Sequence, residues 1–157
     1  MRTSAHVWVE DQTIWLHGAR DLTDPSDAQP FLLEMLDADM VGISTGLSMG
    51  RLVVTTERRA GPPPRPEAGW QIVLEISVLV SDERPLQVGS FFELPDGLDL
   101  LSEDEPEWWR VRIHMRGRLE RWDLTGTSDG ESYLLVSWRQ PPSPGALLRM
   151  EEPPWVP

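Results

Sequence analysis

The sequence predicts an all-β fold: an antiparallel β-sandwich of about seven or eight strands with one short helix. Apolar and polar side chains alternate with a dominant period of two, turn residues recur about every ten positions, and no long stretch carries a 3.6-residue apolar period. A strand sends successive side chains to opposite faces, so a period of two is what a half-buried strand requires.

Taken in order, Ala5–Glu10 and Thr13–His17 flank Asp11-Gln12, a spacing that suits a tight hairpin, and Gly18 ends the second arm. Phe31-Leu32-Leu33-Glu34-Met35-Leu36 follows a polar stretch with Asp24-Pro25 and is built of good helix formers, so it is the one helix expected. Met40–Thr45 and Arg51–Glu57 enclose Gly46-Leu47-Ser48-Met49-Gly50 and read as a second hairpin with a β-branched second arm. Residues 60–69, with Pro62, Pro63, Pro64 and Pro66, lack the donors a ladder needs and read as an exposed, partly polyproline II connection. Trp70–Val80 carries the clearest strand signal, with Ile72, Leu74, Ile76, Val78 and Val80 on one face. Leu86–Leu94 is a further strand, and an acidic loop over 96–107 leads into Trp109–Arg116. There Trp109, Val111, Ile113 and Met115 oppose Arg110, Arg112, His114 and Arg116. Glu131–Trp138 sets Leu134, Val136 and Trp138 against Tyr133, Leu135 and Ser137. Residues 1–142 then form a single sandwich domain, and 143–157 a Pro-rich tail with a short ordered piece around Leu147.

Composition narrows the function. The 157 residues hold 26 acidic and 14 basic side chains, a net charge of −12 that repels a phosphate backbone and disfavours direct nucleic-acid binding. The absence of cysteine excludes disulfides, thiolate metal sites and a thiol nucleophile; the absence of lysine excludes a P-loop lysine and Schiff-base chemistry. No apolar run is long enough for a helical membrane span or a signal peptide, and the expectation is a soluble, cytoplasmic protein without membrane contact.

Four constellations invite a chemical reading. Gly46-Leu47-Ser48-Met49-Gly50 matches the G-x-S-x-G nucleophile elbow, but an elbow precedes a helix and this one precedes a β-branched run, so it reads as a turn and Ser48 as no nucleophile. His6, His17 and His114 fall on three strands without metal-ligand spacing; they read as surface or hydrogen-bonded histidines, and neither metal nor cofactor is expected. The carboxylates between Glu93 and Glu107 lack the order of a calcium loop; solvation of a sheet edge weighs against use as a binding patch. Eight tryptophans exceed ordinary usage. Trp109 and Trp138 read as core, whereas Trp108, Trp122 and Trp155, with Trp8 or Trp15, are available to a sugar platform or a protein interface.

The segments Gly46–Gly50 before a valine-rich strand, Trp70–Ser77 after a Pro-rich link, Trp109–Arg118, and Tyr133–Trp138 before Pro141-Pro142 form an ordered set over about residues 42–142. In pattern and spacing this set resembles small bacterial proteins of the competence protein J group, nuclease-inhibitor and immunity-like β-sandwiches. The resemblance implies a sandwich that binds a partner protein and brings no catalytic residues. The expectation is a non-catalytic module that engages a basic protein, such as a nuclease toxin, through Asp99, Glu103, Asp104, Glu105, Glu107 and Trp108, because acidic surfaces steer onto basic ones. A carbohydrate-binding sandwich using exposed tryptophans is the alternative. Pairing of valine-rich edges across a homodimer axis also stays open.

Overall fold

β-branched and aromatic residues on alternating parity build strands throughout. A computed structural model describes residues 1–23, 32–36 and 39–152. Its strands are β1 (Arg2–Val9), β2 (Thr13–His17), β3 (Ala19–Leu22), β4 (Leu33–Leu36), β5 (Met40–Ser44), β6 (Met49–Arg58), β7 (Ile72–Val80), β8 (Gln87–Gly89), β9 (Trp108–Arg116), β10 (Thr125–Arg139) and β11 (Ala146–Met150). A seven-stranded sheet, curled into a half-barrel, runs β1-β6-β10-β9-β7-β11, with β3 also paired to β7; a four-stranded sheet runs β4-β5-β2-β8. No helix occurs among the described residues, and so none is long and apolar enough to cross a membrane.

This architecture corrects the expected antiparallel sandwich with a helix. Leu33–Leu36 is strand β4, paired antiparallel to β5 from Leu33↔Ile43 to Leu36↔Met40; Phe31 lies outside the described residues. Helix propensity among ordinary residues spans only about 0.7 kcal/mol each, and six residues are too few to repay helix nucleation, so an open ladder beside β5 decides the conformation. Strands β6 and β10 are parallel, from Thr125↔Met49 to Ser137↔Arg58. Both expected hairpins also dissolve. Glu10 to Thr13 does turn tightly, with Asp11 and Gln12 at positive φ, but β1 joins β6 in the large sheet while β2 joins β5 and β8 in the small one. The loop over Gly46–Gly50 likewise carries the chain from small sheet to large. β3 was not expected, and β11 lies in what reads as tail.

Two apolar layers result. Val7, Ile14, Leu16, Ile43, Leu52, Leu74, Ile76, Ile113 and Leu135 are among the side chains that fill the space between the sheets. On the outer face of the large sheet, Trp70, Val73, Leu134, Val136 and Trp138 form a second buried cluster. Arg110, Arg112 and His114 share that outer face and are buried with it, so His114 is hydrogen-bonded but not at the surface as expected. Glu75 makes this tolerable: its Oε1 accepts from Arg110 Nε at 2.9 Å and its Oε2 from Arg112 Nε at 2.6 Å. Arg110 also donates to the carbonyls of Ser143 and Pro144, Arg112 donates to the Pro63 carbonyl, and the Arg112 guanidinium lies 5.3 Å from the Trp138 ring centre. The Pro-rich connection and the chain before β11 therefore both dock on this face.

Removing one member of a buried ion group strands the remaining charges, at a cost of about 3–5 kcal/mol. Glu75→Gln should lose that order of stability in urea or guanidinium unfolding, well above the loss from Glu105→Gln on the exposed loop.

Candidate functional site

The candidate patch belongs to the loop that closes one end of the space between the sheets. Its backbone is pinned from several sides. Asp99 N–H donates to Thr3 Oγ1 at 2.8 Å, Thr56 Oγ1 donates to the Asp99 carbonyl, and Leu101 N–H donates to the Leu86 carbonyl at 2.9 Å. Ser137 Oγ reaches the Leu101 carbonyl, and Ser102 Oγ accepts from Leu86 N–H at 2.8 Å. Leu101 is buried in the core and Leu98 packs against it. Leu101 and Ser102 are buried while Asp99, Glu103, Asp104 and Glu105 are exposed, so apolar plugging and acidic exposure belong to one segment.

Of the expected contact residues, the structure gathers five and separates one. Glu103 and Glu107 both ion-pair with Arg139, whose guanidinium lies 5.4 Å from the Trp109 ring centre. Asp104 and Glu105 lie exposed between them, and half-buried Trp108 opens β9 opposite Leu79. Asp99 stands apart, beside the first residues of β1. Exposed pairs such as those of Arg139 contribute about 0–1 kcal/mol, so Glu103 and Glu107 hold the loop's shape at little energetic commitment.

The tryptophans are mostly internal. Trp15, Trp70, Trp109 and Trp138 are buried, Trp108 and Trp122 half-buried, and Trp8 is 40% exposed; Trp155 lies outside the described residues. A sugar platform needs open indole faces, and among the described tryptophans Trp8 is the exposed one.

The histidines do not converge. His6 is exposed on β1, whereas buried His17 donates from Nε2 to the Ser90 carbonyl at 2.7 Å and buried His114 from Nδ1 to the Leu134 carbonyl at 2.9 Å. Burial lowers both buried imidazoles below their ordinary value of 6.5 and keeps them neutral. Among the described residues, no three His, Asp or Glu side chains group as a metal site.

The Gly46–Gly50 turn has a structural owner that the sequence reading missed. Buried Glu131 accepts from Gly46 N–H at 2.8 Å, Leu47 N–H at 2.9 Å and the Tyr133 hydroxyl. Gly46 is required because a Cβ there would lie 1.7 Å from the Arg118 carbonyl oxygen. Arg118, itself buried, pairs with Glu152 at 3.0 Å. Ser48 precedes β6 and not a helix, so the elbow geometry is absent. Parity could have flagged Glu131, which shares a strand face with Tyr133 and Leu135 and is thus aimed at the core.

No family model matches the chain, and no curated protein matches it. One solved structure, described as crocagin biosynthetic gene J, is similar in fold, with a TM-score of 0.55 over 90% of this chain and 98% of that one. At 13% identity the likeness concerns the fold alone.

Burial raises the Glu131 carboxyl above its ordinary value of 4.5 despite three donors that favour ionisation. Between that value and the raised one, the folded protein keeps a proton that the unfolded chain releases, so this contribution to stability falls as pH rises through the window. The neutral histidines act the other way, losing stability as pH falls below 6.5. Glu131→Gln keeps both histidines and removes one acceptor. It should cost about 1–3 kcal/mol at pH 7 and flatten the fall in stability above pH 4.5, read from denaturant midpoints against pH.

Proposed function

We propose that the protein is a non-catalytic binding module that engages a basic protein partner through the end loop carrying Glu103, Asp104, Glu105 and Glu107, with Trp108 at its base. The observation that carries this reading is the pinned loop itself: a backbone held by core hydrogen bonds presents exposed carboxylates at Asp104 and Glu105 without further ordering. Preorganisation of this kind lowers the entropy that binding must overcome. The excess of 26 acidic over 14 basic residues supports it through long-range steering toward a cationic surface. Of the groups that invited a chemical reading, Ser48 sits in a turn held by Glu131, His17 and His114 hydrogen-bond to carbonyls, and His6 is exposed on β1 apart from them. A nuclease is the partner chemistry that fits best, since its phosphate-binding face must be basic.

The test is surface plasmon resonance against a panel of basic nucleases, with an acidic protein of similar size as control. At least one nuclease should bind with an association rate that drops more than roughly tenfold as salt screens the charges. Charge reversal at Asp104→Arg with Glu105→Arg should slow association by a similar factor and leave dissociation little changed. No saturable binding to any basic member, or an association rate indifferent to the reversal, overturns the reading.

A further inference from the structure

Open sheet edges attract other strands, and proteins guard them with bulges, charges, prolines or short length. Four of the edge strands in this fold are guarded. β11 breaks register between Leu147 and Arg149, β3 breaks between Ala19 and Asp21 and carries Arg20, and β8 is three residues long. Edge strand β4 is four residues long and includes Glu34. β1 is different. It pairs with β6 over eight unbroken positions, from Arg2↔Glu57 to Val9↔Gly50, and from Thr3 to Val9 it holds neither proline nor a carboxylate, lysine or arginine. Its other side ends the large sheet and has no strand partner among the described residues. That leaves an edge about 27 Å long at 3.4 Å per residue.

The ground beside this edge is both apolar and acidic. A cleft of about 280 Å³ separates His6, Val7 and Trp8 from Ser90, Glu93 and Pro95. In the chain between Ser90 and Glu93, which line it, Phe92 is 80% exposed and Phe91 41%, an expensive display unless it is used. These rings are held, not loose: Phe91 stacks edge-on against Trp15 at 5.5 Å, and Phe92 against Phe91 at 4.7 Å. Glu93 lines the cleft, Glu10 accepts from Trp8 Nε1 at 3.0 Å, and Asp99 stands at the Thr3 end; the guanidinium in the cleft is that of Arg51.

We propose that β1 receives an extended, basic polypeptide segment as an added strand, with an apolar side chain of that segment seated against Trp8, Phe91 and Phe92. Main-chain hydrogen bonds supply affinity in such additions, and pockets for alternate side chains supply selectivity. The choice of a basic occupant rests on the proposed function; the place rests on the edge alone. A second copy fits less well, because it would bring the same carboxylates together between two chains of charge −12.

The probe is a capped octapeptide in which arginine alternates with valine and phenylalanine. It is compared with a version carrying glutamate for arginine, and with two versions N-methylated on alternate amides in opposite phase. Binding is read by calorimetry near 150 mM salt, where the Debye length is about 8 Å, and by hydrogen–deuterium exchange. The basic peptide should slow exchange in Arg2–Val9, at least one methylated version should bind roughly tenfold more weakly, and Trp8→Ala or Phe92→Ala should cause a similar loss. Asp104→Arg with Glu105→Arg should change affinity by less than about threefold, since those groups lie farther along the same β8–β9 connection, between the two carboxylates that pair with Arg139. Equal binding of the glutamate peptide, indifference to both methylation patterns, or protection of β1 that grows with protein concentration alone overturns the proposal. Protection confined to residues 103–107 and lost on reversing Asp104 and Glu105 sinks the edge while leaving the end-loop reading intact.

Discussion

Glu75 is the side chain on which the layering of this protein depends. It lies on the outer face of β7, where its two oxygens take the Nε–H groups of Arg110 and Arg112 from β9. Without that carboxylate, a strand face carrying Arg110, Arg112 and His114 would have to face water, because an unpaired buried charge costs far more than its stem gains by packing. With it, Arg112 lies over Trp138, the arginines are buried on the face that holds Trp70, Val73, Leu134, Val136 and Trp138, and the large sheet buries apolar side chains on both faces. The Pro-rich connection can then cover the outer layer, since the carbonyls of Pro63, Ser143 and Pro144 accept from Arg112 Nη2, Arg110 Nη1 and Arg110 Nη2. A chain segment unable to join a ladder is thereby held by side chains.

Glu131 plays the corresponding part at the crossing between sheets. The chain must leave β5 in the small sheet and enter β6 in the large one, and the turn exposes backbone N–H groups inside the protein. A buried carboxylate accepting from Gly46 and Leu47 answers them, at the cost of its own desolvation. The close passage of the Arg118 carbonyl over Gly46 explains a glycine that otherwise invites a catalytic reading. Motif resemblance and function part here: the same five residues satisfy a pattern for a nucleophile and a packing need for a turn, and the neighbouring strand decides between them.

The two surfaces offered to partners follow from how the ends and edges of the sheets are closed. The end loop exposes acids while Leu101 is buried in the core and Leu98 packs against it. The edge strand β1 exposes backbone because nothing described lies beyond it. Both are rigid, one through core hydrogen bonds and one through an unbroken ladder with β6, so both present their groups without a folding step.

Much of this was legible in the residues. Parity in Ile72–Val80, Trp109–Met115 and Tyr133–Trp138 assigned strands and divided their faces correctly, since a two-residue period is a local property of the extended backbone. The acidic stretch and its exposure at Asp104 and Glu105 were equally readable. Other features were not. Four residues at Leu33–Leu36 prefer helix weakly and take strand because β5 offers a ladder; propensity is small beside a hydrogen-bonded edge. Hairpins were inferred from turns, yet β1 and β2 part into different sheets and β6 lies parallel to β10. Side-chain parity says which face a residue takes, and it carries no information about which strand lies alongside. The sequence by itself therefore determined the charge and the strands and faces of Ile72–Val80, Trp109–Met115 and Tyr133–Trp138. Tertiary structure alone decided strand neighbours, the burial of the arginine face, the capture of the Gly46 turn by Glu131 and the solitary exposure of β1, because each depends on contacts between residues far apart in the chain.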